Sequence, residues 1–353
     1  MDTVLAARSG PSQTATIDAR RGSDYAALLR QVKGAGLLDR RRGYYVTKMI
    51  VTGGLLLAGW TTFVILGDSW WQVLVAVVLA FVFGQLGFIG HDAGHRQIFR
   101  SGRANYLVGI LHGNLAIGLS YGWWVDKHNR HHAHPNHEDR DPDVKIGALA
   151  FTPGQAAAKT GLVRFIARHQ RYFFLPLLLF EAMQLHAFSI RALADRGLRH
   201  RAAETTLLAL HVVGYASLLL TVLSPVKALV FFIVHQGLFG LYLGLSFAPN
   251  HKGMPMLTGD DEADYLRRQV LTSRNIRGGP VVDLLLGGLN YQIEHHLFPS
   301  MPRPNLRKSQ LLVRAYCQQH RVSYRETTLL RSYAEALRHL HDVGQPLRSP
   351  TPA

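Results

Sequence analysis

Four stretches of mostly apolar residues, each close to the roughly 20 that a helix needs to cross the hydrocarbon core of a bilayer, constrain this chain more than anything else in it. They run over residues 47–66, 70–90, 205–223 and 226–248. Gly67, Asp68 and Ser69 join the first pair, and Ser224 and Pro225 join the second. Within lipid every backbone N–H and C=O must be satisfied inside the protein. Joins this short between such spans therefore predict an all-α membrane protein with four transmembrane helices in two hairpins. Trp70 and Trp71 open the second span as interfacial anchors.

Charge supplies the orientation. Lys and Arg number 39 against 23 Asp and Glu, a formal +16. The excess flanks the spans, as at Arg40, Arg41 and Arg42 and at Arg199 and Arg201, while the two short joins hold no Arg. The positive-inside rule then places both termini and the long middle segment in the cytosol, and the lipid bilayer is the expected polyanionic partner rather than nucleic acid. Cys317 is the only cysteine, which excludes an internal disulfide framework and a Cys-based iron–sulfur or zinc site.

Residues 1–46 read as a flexible, basic cytosolic segment without the apolar core of a secretory signal. Residues 47–312 read as the membrane domain, and 313–353 as a cytosolic helical segment and tail. Two further apolar stretches, 106–121 and 172–190, carry polar breaks (His112 and Asn114; Pro176, Glu181 and His186). They are expected to be amphipathic or half-inserted helices on the cytosolic side.

The span ends carry the chemistry. The second span runs into GHDAGHRQIF, where His91 and His95 are four apart and share a helix face. DKHNRHHAHPNHEDRDPD follows, with His128, His131 and His132; the last two diverge by about 100° and can serve neighbouring ions. The fourth span ends in SFAPNHKG with His251, and GGLNYQIEHHLFPSMPRP supplies His295 and His296, with Gln292 three residues earlier. One HxxxH in a chain of 19 histidines is an ordinary helix face. Eight histidines in four groups, all delivered to one membrane face, are a metal centre. Imidazole suits Fe, Zn, Cu and Ni, and eight donors exceed one tetrahedral zinc, so two ions are implied. No Glu is followed three positions later by His, which excludes the soluble ferritin-like di-iron pattern.

HDAGH, HNRHH and QIEHH resemble the three histidine boxes of the membrane fatty acid desaturases, in particular the acyl-CoA and acyl-lipid branch whose third box begins with Gln. The resemblance covers about residues 47–312. It implies a di-iron centre on a helical cytosolic cap above four spans, O₂ as co-substrate and an acyl tunnel descending from the metals. It implies His91, His95, His128, His131, His132, His295 and His296 as iron ligands, with His251 as the additional ligand after the fourth span. Gln292 stands where other branches have His, as a ligand or a hydrogen-bond partner of one.

Many relatives carry a fused cytochrome b5 domain marked by HPGG. That motif does not occur here, so electrons are expected from a separate donor such as a ferredoxin with its reductase. The implied activity is O₂-dependent insertion of a cis double bond into the acyl chain of an acyl-CoA or acyl-lipid. The implied location is the inner or plasma membrane of a bacterium, with the active site cytosolic. The alternative is a membrane di-iron hydroxylase or ketolase acting on a lipid, alkane or carotenoid. A metal transporter fits less well, because its ligands would sit near the bilayer midplane.

Trp123, Trp124, Tyr242 and Phe247, with Gly84, Gly87, Phe88 and Leu111, lie near the boxes in sequence and are tunnel candidates. His112 and Asn114 are candidates for the metal site or its surroundings. Asp139, Asp141 and Asp143 either orient imidazoles or belong to a solvated loop. Asn250 reads as a helix-end cap, and His186, His211 and His235 as structural.

Overall fold

A computed structural model describes residues 22–145, 147–259 and 263–348. It begins with helix α1 (Gly22–Gly34), inside the stretch expected to be flexible. Leu28 and Val32, one turn apart, are fully buried in a cluster with Ile293, Leu306 and Val313. Residues 35–41 form a turn and residues 42–46 open the next helix, so the stretch from Gly22 onward is ordered structure rather than a flexible segment, and residues 1–21 lie outside the described residues.

Helices α2 (Arg42–Leu66) and α3 (Gln72–Gly94) follow. Gln72 closes the turn between them by donating to Phe63 O at 2.7 Å and Gly67 O at 2.9 Å. α4 (Gly102–Ile110) continues into a π-helical turn, Leu111–Ala116, before α5 (Tyr121–Ala133). After a 3₁₀ turn at Pro142–Val144 come α6 (Pro153–Ala157), α7 (Gly161–Arg168), α8 (Gln170–Leu178) and α9 (Glu181–Ala192). The long α10 (Arg201–Val222) and α11 (Pro225–His251) follow. Among the described residues, four helices are long and apolar enough to cross a membrane, α2, α3, α10 and α11, or five if the bent pair α8–α9 is taken as one span. Each of the four agrees with a span expected from the sequence to within a few residues at either end.

Their burial differs, and the difference positions the site. α2 turns Ile50, Leu57 and Ile65 outward, about 70% or more exposed, as a lipid-facing helix must. α3 is buried over most of its length and packs on α11. Small residues let the two approach: a Cβ on Gly84 would stand 2.2 Å from the Tyr242 ring. α11 ends in His251, and His95 caps α3.

The two ambiguous stretches enter the bundle as broken helices. α8 and α9 meet at a 66° bend beside Gly240 of α11, where a Cβ would lie 2.7 Å from Ala182 N and 2.8 Å from Leu178 O. Gly240 is eleven residues below His251, or about 16 Å along the helix at 1.5 Å per residue. The irregular backbone after the π turn is satisfied by side chains: His211 Nδ1 donates to Leu115 O at 2.9 Å and His186 Nδ1 to Gly118 O at 2.8 Å. That is the requirement for irregular backbone within a span bundle, and it explains two histidines outside the boxes.

Among the described residues the chain is mostly helical as expected, with one short two-stranded sheet added. α12 (Tyr265–Leu271) is followed by strand β1 (Asn275–Arg277), then α13 (Pro280–Leu285), α14 (Gln292–Leu297) and α15 (Arg303–Gln319). Strand β2 (Glu326–Thr328) pairs with β1 in parallel, Asn275 opposite Glu326, and α16 (Leu329–Val343) closes the fold. Three-residue strands are too short to show the period-two alternation that marks a strand in sequence.

Candidate metal centre

Each histidine group sits where a helix ends. α3 terminates at Gly94, so His91 occupies its last turn and His95 its C-cap. α5 carries His128, His131 and His132 in its second half, and His251 is the last residue of α11. α14 begins at Gln292 and holds His295 and His296. It is aimed by two left-handed glycines, Gly287 (φ 59°) and Gly288 (φ 80°). Asn275 of β1 also aims it, accepting from Ile293 N at 2.9 Å and donating to Glu294 at 2.6 Å. Tyr324 donates to the other Glu294 oxygen at 2.7 Å.

Two sets of imidazoles result. His91, His95, His128 and His295 each offer a nitrogen, all within 4.8 Å of one another, and so do His131, His251 and His296. His132 lies between the sets, its Nε2 3.1 Å from His128 Nε2 and its ring stacked on His296 at 4.1 Å. The adjacent His131 and His132 share His128 and His296 as neighbours, but His131 also meets His251 whereas His132 meets His95 and His295.

Orphaned nitrogens show that the first set, with His132, fits metal. His91 Nε2, His95 Nε2, His132 Nδ1 and both nitrogens of His295 are buried without a hydrogen-bond partner. An unpaired buried polar atom costs about 1–3 kcal/mol, so five in one place call for an external partner. A cation serving as a Lewis acid is the partner that bare imidazole nitrogens accept.

The other ring nitrogens are held from outside. His91 Nδ1 is 3.1 Å from Asp92 Oδ1, and Asp92 is anchored by Arg303 at 2.6 Å. His131 Nδ1 lies 3.0 Å from both Asp141 oxygens. His251 Nδ1 donates to Thr272 O at 3.0 Å, and His296 Nδ1 is 2.9 Å from Gln269 Oε1. Gln269 also donates to His132 O at 2.9 Å. Such contacts fix the tautomer and leave Nε2 facing the centre.

Protonation follows burial. Desolvation and neighbouring imidazoles push His95, His128, His132, His295 and His296 well below the ordinary histidine value, which keeps them neutral and able to bind metal. Burial would lower His131 too, but Asp141 and Asp143 outweigh it and hold it raised. Burial opposes charge on Asp143 as well, yet Lys127 and His131 keep it below the usual carboxylate range.

Gln292 touches the second set: its Nε2 is 3.0 Å from His251 Nε2, and its Oε1 accepts from Asn250 at 3.3 Å. His112 and Asn114 are not brought there. His112 Nδ1 donates to Val108 O at 2.8 Å, and Asn114 donates to Glu204 at 2.6 Å and accepts from Tyr121 N at 3.0 Å.

Among the tunnel candidates, Trp124 stacks on His128 at 4.5 Å and meets His91 edge-on at 5.5 Å. Trp123 turns away to Phe188. Tyr242 donates to Leu285 O at 2.7 Å. Phe247 joins an apolar cluster with Phe83, Leu86, Ile117, Phe239 and Leu243, below the histidines on α3 and α11.

Asp92, Gln269, Thr272 and Arg303 were not anticipated. Only Asp92 had a signal, its place beside His91. The carbonyl of Thr272 and the amide of Gln269 reach the site through tertiary packing alone.

Comparison with known proteins adds the following. The fatty acid desaturase family model matches residues 68–328. An acyl-lipid (9-3)-desaturase of Physcomitrium patens is 31% identical over 316 residues, 86% of this chain and 59% of that protein. A delta(8)-fatty-acid desaturase of Euglena gracilis is 31% identical, covering 89% of this chain and 77% of that one. A delta(6)-fatty-acid desaturase of Caenorhabditis elegans is 28% identical, with 92% and 76% covered.

Proposed function

The chain belongs to the fatty acid desaturase family, and we propose that it inserts a cis double bond into a fatty acyl chain, carried as an acyl-CoA or acyl-lipid, at a pair of iron ions. One iron is assigned to His91, His95, His128 and His295, and the other to His131, His251 and His296. His132 lies between them, and Gln292 beside His251. The overall change is –CH₂–CH₂– + O₂ + 2 e⁻ + 2 H⁺ → –CH=CH– + 2 H₂O, with the electrons drawn from a separate donor protein. α2, α3, α10 and α11 cross the bilayer as two hairpins, and the charge distribution puts both termini and the centre on the cytosolic side.

Iron, when bound, supplies the O₂-derived oxidant that no side chain can provide against an unactivated methylene. The residues of the chain orient and enclose. Asp92, Asp141, Thr272 and Gln269 hold four imidazoles in the tautomer that presents Nε2. Trp124 covers His128. The cluster of Phe83, Leu86, Ile117, Phe239 and Leu243 offers the acyl chain an apolar path below the site, so the position of the double bond is set by fit rather than by a polar handle.

The observation that carries this reading is the convergence of two groups of buried imidazoles, with five partnerless nitrogens on the first group and on the adjoining His132. Expression in a host without the activity, followed by mass spectrometry of its fatty acids, is the test. Products two hydrogens lighter, with the double bond at one position, are expected. Products one oxygen heavier would make the chain a hydroxylase and overturn the reading. Loss of product in a folded His131→Ala variant is also required.

A further inference from the structure

We infer that the rim of the β1–β2 sheet is the docking surface for the electron donor, an acidic one-electron carrier protein; this rests on the function proposed above. A cavity of about 320 Å³ opens there, lined by Arg277, Arg314, Gln318, Val322, Tyr324 and Glu326. Arg321, Arg325 and Arg331 are close in sequence to these lining residues and are exposed. Two acids face these cations, and both are already engaged. Glu326 takes Arg277 and Arg314, and Glu335 takes Arg325 and Arg331 together with the buried Arg274. Four guanidinium groups of the rim and the buried Arg274 thus share two half-buried carboxylates, with the exposed Arg321 adding a further cation, leaving a positive surface that an acidic protein would complement.

The second observation is where the cavity leads. Tyr324 lines it and donates to Glu294 at 2.7 Å. Glu294 is fully buried and immediately precedes His295, whose two nitrogens have no partner in the protein. Asn275 of β1 completes the link, donating to Glu294 at 2.6 Å. One hydrogen bond and one peptide unit therefore connect the basic surface to an imidazole of the first set. A docked carrier gives up one electron at a time, is itself oxidised, and two such transfers complete the stoichiometry written above.

The experiment uses the full chain in nanodiscs, loaded with iron, and a plant-type two-iron ferredoxin as the probe. Binding is measured against ionic strength for the wild type, for Arg277→Glu with Arg321→Glu, and for Arg164→Glu with Arg168→Glu on α7. The first pair is expected to weaken binding by about tenfold or more at low salt and to flatten its salt dependence, and the second pair to bind as the wild type does. Arg277→Gln with Arg321→Gln should weaken binding less than the reversal does, which keeps the test valid if the reversal disturbs folding. Equal affinity in all variants, equal loss in the α7 pair, or no binding by the wild type would overturn the inference. Double-bond yield driven by dithionite separates the two readings. If the wild type forms none, the proposed function fails; if it forms product while ferredoxin affinity ignores the rim, only the docking surface fails.

Discussion

Asp141→Asn tests whether the histidines are held as metal ligands or merely packed. The Asp141 carboxylate is fully buried and accepts from three donors: His131 Nδ1 at 3.0 Å, Asn136 N at 2.8 Å and Asp143 N at 2.8 Å. Asparagine keeps one acceptor oxygen and turns an NH₂ toward the donor on the other side. At least one buried backbone N–H then loses its partner, which costs about 1–3 kcal/mol of stability. The imidazole also loses the carboxylate that fixes its tautomer, and contacts of this kind contribute about 10–100-fold to metal affinity. Two readouts are therefore expected to move together: a lower unfolding temperature, and iron lost to a chelator at concentrations that spare the wild type. Asp139→Asn, an exposed neighbour in the same loop, should change neither. An Asp141→Asn protein that retained iron as firmly as Asp139→Asn would refute the reasoning, because His131 would then not depend on its outer partner.

Three other outcomes follow from the same geometry. Gly240→Ala should destabilise by about 1–3 kcal/mol, since its Cβ would meet backbone atoms of α8 and α9 at 2.7–2.8 Å, whereas Gly237→Ala, with its nearest contact at 3.7 Å, should be tolerated; equal melting of the two variants would contradict the packing. Acidification should unfold the metal-free protein. His95, His128, His132, His295 and His296 are depressed in the fold, so the unfolded chain binds more protons below the ordinary histidine value of about 6.5, and stability present above that pH is lost as pH falls toward the folded values. His131 alone is raised and opposes the trend; a melting temperature that rose between neutral pH and pH 5 would show the signs to be wrong. Arg274→Met should cost about 1–3 kcal/mol in thermal denaturation, because Pro249 O and Lys252 O at the end of α11 lose the buried guanidinium that donates to them while Glu335 keeps Arg325 and Arg331, and a neutral result would contradict that role.

Much of this molecule was legible in its sequence for a physical reason: lipid demands long apolar helices, and a metal demands nitrogens that recur at helical spacing. The spans and the four histidine groups followed from those two requirements. The partition of histidines between the two sets did not, since His295 joins α3 and α5 while its neighbour His296 joins α5 and α11, and only tertiary packing decides that. Trp123 and Trp124 show the same limit, being adjacent and about 100° apart on a helix, so that only one faces the cluster. Nor was the support of the third box legible. Asn275 and Tyr324 hold Glu294 from one three-residue strand and a loop, contacts across 19 and 30 residues that no local pattern announces. Asn114 misled because a polar residue in an apolar stretch suggests a ligand, whereas it serves Glu204 at the entry of α10.

Iron content per chain, measured by plasma mass spectrometry on the purified protein and on His131→Ala and His295→Ala, tests the central claim most directly. The account predicts about two irons in the wild type and a clear fall in each variant, one for each set of imidazoles. Zinc in place of iron, a single ion, or variants that hold as much iron as the wild type would contradict it.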